Sequence, residues 1–307
     1  MKKLSLYLRV FRKAFIGFID DNAFKLSASL SYYTIFAIGP LLLIIMSLAG
    51  VFFGKEAVQG KIYGQIRGLV GNEAALQVQS IIQNISHSQH GTIGAILGFV
   101  VLVIGATGVF TEIQDSINFI WSVKAKPKKG WLKFLINRLI SFSLVVSMGF
   151  ILLVSLIINA LMEILSDKLL RFFKDYTIYL FYAINVLFIF VIITGLFAVI
   201  FKVLPDAKIK WKEALIGAGF TAVLFLLGKF LIGYYLGRSD MGITFGAAAS
   251  IVIILSWVYY SSLILYFGAE FTKVYAIETG SGIVPNETAV FIIKKEAKEV
   301  PTSYLDT

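Results

Sequence analysis

The chain has no cysteine, only two histidines, five prolines and charge on just 15% of its 307 residues. Without cysteine there is no disulfide, thiol nucleophile or thiolate metal ligand, and the compartment is left open. The two histidines, His87 and His90, form an HxxH pair in a Ser- and Gln-rich stretch. A catalytic zinc needs a third protein ligand, and the nearest upstream acid is Glu73. No GxxxxGK[ST] phosphate loop occurs. The 18 acidic residues are too scattered for the clustered carboxylates that Mg²⁺-dependent nucleases use. These gaps argue against an enzyme, and no metal, cofactor or nucleic-acid partner is expected.

What fills the chain is apolar. Hydrophobic residues make up 58% and the mean hydropathy is +0.84, well beyond the apolar share of a soluble domain. Runs of about 20 nearly uncharged residues are long enough to cross the hydrocarbon core as helix. Six spans are expected, near Leu30–Phe53, Ile93–Glu112, Leu139–Leu161, Ile178–Phe201, Ala214–Leu236 and Ala247–Ala269. The fold class is therefore all-α, a polytopic transmembrane helical bundle. The first 25 or so residues are basic and amphipathic and carry no small-residue cleavage site, so no signal peptide is read there.

The 28 Lys and Arg residues orient the bundle. Six precede the first span, six lie between spans two and three, four between spans four and five, and four follow the sixth. The opposite loops hold seven, and Lys229 falls inside the fifth span. The positive-inside rule then places both termini in the cytoplasm. The net charge of +10 reports this basic rim and anionic lipid headgroups.

Around the spans the chain divides as follows. Residues 1–22 form a basic amphipathic helix. Leu4, Leu8, Phe11, Phe15 and Phe18 recur at helical spacing opposite Lys2, Ser5, Arg9, Arg12 and Lys13, as in helices that lie in the headgroup plane. Packing on the bundle is the other use of that stripe, and the two can coexist. Asp20, Asp21 and Asn22 break the helix, and one of them can cap the next. Residues 23–276 are the membrane domain. Its long outer loop, 54–92, reads as a helical hairpin, with stripes at Val58, Ile62, Ile66, Leu69 and at Val78, Ile81, Ile82, Ile85. Residues 277–307 form a polar cytoplasmic tail, expected to be mobile from Gly280 onward.

Small residues four apart, at Gly94/Gly98, Gly233/Gly237 and Gly242/Gly246, suggest close helix packing. Pro40 kinks the first span. Polar residues within spans are costly and so informative. Asn159, Glu163 and Lys229 fall in the outer half, where Lys229 either pairs with Glu163 or snorkels to the headgroups. Asn185 and Thr194 lie in the fourth span. Glu112, Gln114, Asp115, Asn118, Arg138 and Glu270 collect at the cytoplasmic ends. Glu112, Asp115 and Glu270 end their spans, where the helix dipole disfavours acids. This placement predicts a cationic partner: Arg138, Lys202, Lys25 and Lys273 lie at comparable depth on other helices, with Arg138 and Lys25 the first candidates, and Trp121 reads as an interfacial anchor. Either ion pairs clamp the helix ends or a charged vestibule opens there.

Four stretches, "LSASLSYYTIFAIGPLLL" (26–43), "GATGVFTEIQDSINFIW" (105–121), "FKVLPDAKIKWKEALIGA" (201–218) and "FGAAASIVIILSWVYYSSLILYFGAEFTKVYA" (245–276), resemble the YihY/BrkB family of bacterial inner-membrane proteins. The matching positions include Tyr32, Tyr33, Pro40, Gly105, Gly108, Glu112, Gln114, Asn118, Pro205, Trp257, Tyr259, Tyr260, Gly268 and Glu270. The resemblance implies a multi-pass protein of the bacterial cytoplasmic (inner) membrane with about six spans. It also brings an association with virulence and an old ribonuclease label, which the residues speak against. The reading that follows is a transporter or translocator of a lipid or other amphiphile of the envelope, touching membrane lipids. A non-transporting scaffold for an envelope or secretion protein comes second, and a ribonuclease third. The oligomeric state is not legible.

Overall fold

The computed structural model describes residues 2–37, 67, 72, 75–80, 105, 108–126, 176–238, 245 and 248–294. Helix α1 (Lys2–Asp20) is followed by helical residues 23–37 (α2) and 108–120 (α3). Strand β1 (Val123–Ala125), helix α4 (Tyr176–Val203), strand β2 (Ala207–Lys208), helix α5 (Trp211–Arg238) and helix α6 (Ala249–Glu278) come next. Strands β3 (Val284–Pro285) and β4 (Ala289–Phe291) close the described chain.

Among the described residues, three helices are long and apolar enough to cross a membrane, over Val186–Val203, Trp211–Arg238 and Ile251–Glu278. They coincide with the fourth, fifth and sixth expected spans. The first two expected spans are described only at Leu30–Ala37 and in a few residues of 105–112, and the third lies outside the described residues. So do Pro40, Arg138, Asn159, Glu163 and most of the hairpin, of which 75–80 is helical with Ala75 and Val78 buried.

Helices α4 and α5 form an antiparallel hairpin, with Phe197 edge-on to Phe225 at 5.9 Å. The seam between α5 and α6 is closer. On α5, Gly217 faces Thr272 of α6, and on α6, Gly268 faces Thr221 of α5. A methyl added at either glycine would fall far inside van der Waals contact with the facing threonine. Each hydroxyl is turned back onto its own helix, Thr221 donating to the Gly217 carbonyl and Thr272 to that of Gly268, both at 2.7 Å. At this close approach the two threonine hydroxyls are satisfied within their own helices, as a bilayer favours. Further along, Gly228 faces Tyr260 and Ile264. Among the described residues nothing meets a β-carbon at Gly233, and Gly237 is exposed. The close approach sits where threonine, not a second glycine, faces the gap, so a search for glycine pairs passes over it.

Helix α1 does pack on the bundle. Val10, Ala14 and Phe18 are buried, Phe11 and Phe18 meet Phe267 edge-on, and Tyr7 stacks on Tyr275. Asn22, at φ 52°, turns the chain into α2, and its carbonyl accepts the amides of Lys25 and Leu26.

Through residue 294 the tail is not the mobile segment expected; 295–307 lie outside the described residues. Residues 280–294 are ordered by antiparallel pairing of β3 with β2 and of β4 with β1. Gly280 and Gly282, both at positive φ, make the turn out of α6 that a β-carbon would strain. Polarity concealed this order, because the strands are too short to show alternation and their partners come from distant loops. Among the described residues the all-α reading is amended only by these two short ribbons.

Candidate functional site

The segments after α1, α3, α4 and α6 converge at one end of the bundle, and their polar side chains form two separate clusters. The first is built on Lys273 of α6. Its ammonium donates to Glu270 (2.7 and 3.0 Å) and to the Ile120 carbonyl (2.8 Å), and lies 3.6 Å from Asp21. Lys294, just past β4, donates to Asp21 at 2.5 Å and to the same Ile120 carbonyl at 3.3 Å, with its ammonium 4.5 Å from the centre of the Phe119 ring. Two acids and two lysines thus make a neutral cluster. Glu270 and Asp21 are 1% and 5% exposed, so the charges are fixed by one another and not by water. Gly17 of α1 leaves the space that the Glu270 carboxylate occupies.

The cluster meets the C-terminus of α3, where unsatisfied carbonyls carry partial negative charge. The cations that answer it are Lys273 and Lys294. Of the first candidates, Lys25 is exposed on α2 and Arg138 lies outside the described residues, while Lys273 is among the cations expected at that depth. Burial pushes the Lys294 ammonium below the ordinary lysine range, against the opposing pull of Asp21.

The expected misplacement of acids also shrinks. Helix α3 runs on to residue 120 and α6 to Glu278, so Glu112 and Glu270 each lie eight residues before their helix ends. Hydropathy placed the ends too early because it stops at the first charge, whereas the helices continue into the polar layer. Trp121 is not an interfacial anchor. It is buried in the core beside Phe201 and Tyr266, and its indole N–H donates to the Ala269 carbonyl at 3.0 Å.

The second cluster is centred on Asp206, in the turn after α4. Its carboxylate accepts from Gln114 (3.2 Å) and Asn118 (3.0 Å) of α3. Its amide donates to the Asn118 side-chain oxygen at 2.8 Å, and its carbonyl accepts the Asn286 amide at 2.9 Å. Gln114 and Asn118, one turn apart, thus hold the α4–α5 turn and the tail against α3. Pro205, the motif position before Asp206, has no N–H to compete for these acceptors. With Asn118 buried and doubly bonded, Asn118→Ala is expected to lower stability by about 1–3 kcal/mol. Chemical denaturation in detergent measures it, and Gln114→Ala, half-buried with one bond, should cost less.

Glu112 and Asp115 belong to neither cluster. Among the described residues no cation lies within ion-pair reach of either. Asp115 opens to solvent on one side. Desolvation of its other side, and then the charges of Glu112 and Asp206, push its carboxyl above the usual carboxylate range. One turn before Glu112, Gly108 receives the ring of Tyr33, and Tyr32 and Phe36 stand exposed on the same helix α2. Lys229, half-buried on α5, has its ammonium 5.5 Å from the Phe230 ring centre. Among the described residues no three His, Asp or Glu side chains are placed to hold a metal.

Sequence reasoning missed Asp21, Lys294 and Asp206 as site residues, while Lys273 is one of the cations it set at the depth of the acids and does pair with Glu270. Asp21 read as a helix break, Lys294 as part of a basic rim, and Asp206 carried no signal of its own within the motif stretch 201–218. Only the fold shows that their segments meet.

Long apolar helices joined at one end by buried charge define a helical integral membrane protein. The chain belongs to the BrkB virulence factor family, whose model matches residues 14–289. It is similar to UPF0761 membrane proteins of Stenotrophomonas maltophilia strain R551-3 (26% identical over 83% of this chain) and Saccharophagus degradans strain 2-40 (27% over 87%). A UPF0761 membrane protein of Pseudomonas aeruginosa strain LESB58 is 27% identical over 82% of this chain. The matches cover 58%, 60% and 59% of those relatives, so the chain spans a little over half of their length. No solved structure matches it.

Proposed function

We propose that this protein moves or handles a lipid or other amphiphile of the bacterial envelope, without catalysis, in the cytoplasmic membrane. The end that carries the two clusters faces the cytoplasm in this reading, as the basic segments gathered there favour. One observation carries the proposal: Glu112 and Asp115 stand outside the ion-pair cluster that fastens the helix ends. Acids that clamp helices are neutralised by neighbours, as Asp21 and Glu270 are. Acids left open beside exposed aromatic side chains suit the polar head of an amphiphile, with rings against its apolar part.

Stability and activity should then separate. Because the folded-state pKa of Asp115 is raised, its contribution to stability is full below the ordinary carboxylate value and is lost as pH rises through the raised one. At neutral pH, Asp115→Asn is expected to leave stability unchanged or raise it by a few tenths of a kcal/mol, since solvent screens the site. In proteoliposomes carrying fluorescent phosphatidylethanolamine or phosphatidylglycerol, the unaltered protein is expected to speed exchange between leaflets. Asp115→Asn and Glu112→Gln should slow it about tenfold or more while thermal midpoints hold. Exchange no faster than in protein-free vesicles for either lipid would overturn the proposal.

A scaffold role is the second reading, favoured by the exposed apolar end of the tail at Phe291 and Ile293. It gains if Phe291→Ser with Ile293→Ser abolishes the cellular phenotype and Asp115→Asn does not.

A further inference from the structure

Helix α1 has three faces. Leu6, Val10, Ala14, Gly17 and Phe18 pack on α6 and its surroundings. Arg9 and Lys13 form a second face and are both engaged by Glu278, Arg9 at 3.5 Å. Among the described residues nothing covers the third face: Leu8 is 64% and Phe15 55% exposed, and Ile19 lies in line with them at helical spacing. Arg12 stands inside this third face, between Leu8 and Phe15 in one turn sequence, and is exposed. An arginine in the middle of an apolar strip is wasted against another protein core, but not at the edge of a bilayer. There the strip enters the acyl boundary while the guanidinium reaches a phosphate.

From this we propose that the outward face of α1 binds anionic phospholipid, with Arg12 as the phosphate contact and Leu8, Phe15 and Ile19 seated among the acyl chains. The occupant follows from charge and position. Of the three cations in this turn and a half of helix, Glu278 engages two and leaves the one that points with the apolar side chains. Exposed Lys25, Lys208, Lys210 and Lys212, and exposed Trp211 with Lys202 at 5.8 Å from its ring centre, continue a basic and aromatic rim at the same end of the bundle. That composition suits an anionic monolayer better than a second copy of this net-positive chain. The inference requires only the membrane location, so it can hold whether or not the protein moves lipid.

The lack of native cysteine makes the test direct. Phe15→Cys is labelled with bimane in the otherwise unaltered protein and reconstituted into nanodiscs of phosphatidylcholine with brominated phosphatidylglycerol, or with brominated phosphatidylcholine. Quenching by both is expected, with an apparent preference for the anionic lipid of about fivefold, the effect of one basic side chain near a charged surface. Arg12→Gln should bring the ratio close to one, and Arg12→Lys should keep most of it. If Arg12→Gln fails to fold, salt serves instead: the preference should fall as ionic strength rises. Absence of quenching at position 15, or cross-linking of that cysteine to a second copy, would overturn the proposal. So would a ratio that neither Arg12→Gln nor salt changes.

Discussion

Lys273→Met is expected to cost about 3–5 kcal/mol, the loss typical of breaking a buried ion pair from one side. Lys273 is the one cation in the cluster that touches Glu270, and it also approaches Asp21 and holds the Ile120 carbonyl. Without it, Glu270 stays buried with no adjacent donor, and the C-terminus of α3 keeps only Lys294. Lys294→Met should be milder. It strands one oxygen of Asp21, but it also removes an ammonium whose burial already works against its charge. Denaturant titration of both variants in the same detergent reads the difference. Equal losses would mean that Lys294 shares the central role with Lys273. A further check is Lys273→Met combined with Glu270→Leu, which removes the orphaned acid and should recover a large part of the loss.

The second large effect is expected in the seam between α5 and α6. Gly217→Ala and Gly268→Ala each force a methyl into the facing threonine, and overpacking of this kind costs about 1–3 kcal/mol per site. The two contacts lie on the same interface, so a displacement of the helices that relieves one also relieves the other. The double variant is therefore expected to lose less than the sum. Gly217→Ala with Thr272→Ala should recover only part of the loss, because the β-carbon at 272 is itself 2.8 Å from the added methyl. Gly233→Ala, which meets nothing among the described residues, should be neutral and serves as the control. Thermal unfolding of the five variants beside the unaltered protein in one lipid composition decides the matter, and a costly Gly233→Ala would contradict this account of the seam.

The spans were legible because lipid solubility leaves a long, uniform signature: the last three expected spans overlie α4, α5 and α6. The grouping of basic segments was legible for a similar reason, and the four that the charge rule places together do meet in the structure. Glu112, Gln114, Asp115, Asn118 and Glu270 could be picked out as polar residues at apolar borders. Their roles could not be read. Gln114 and Asn118 serve Asp206, and Glu270 serves Lys273. Asp115 stands apart, although helical spacing alone would set it near Asn118. Such assignments depend on which remote loop arrives at the helix, and Asp206 is 88 residues from Asn118 in the chain. The tail misled because strands of two or three residues have no period of their own. The glycine–threonine seam was missed because small residues on one helix have meaning only against what faces them.

The Asp21–Lys294 bond joins residues 273 positions apart. During synthesis, Asp21 leaves the ribosome long before Lys294 exists. The apolar helices can enter the membrane one after another, but the turn after α1 and the end of α3 must wait for the last described residues to arrive. Assembly of this end is thus a late event, separated in time from insertion. A chain broken off after Glu278 would retain its membrane-crossing helices while Asp21 and the β1 and β2 edges stayed without their final partners. In the cell, that open end is where an incomplete copy would differ from a finished one, and so where a membrane protease or chaperone could tell them apart.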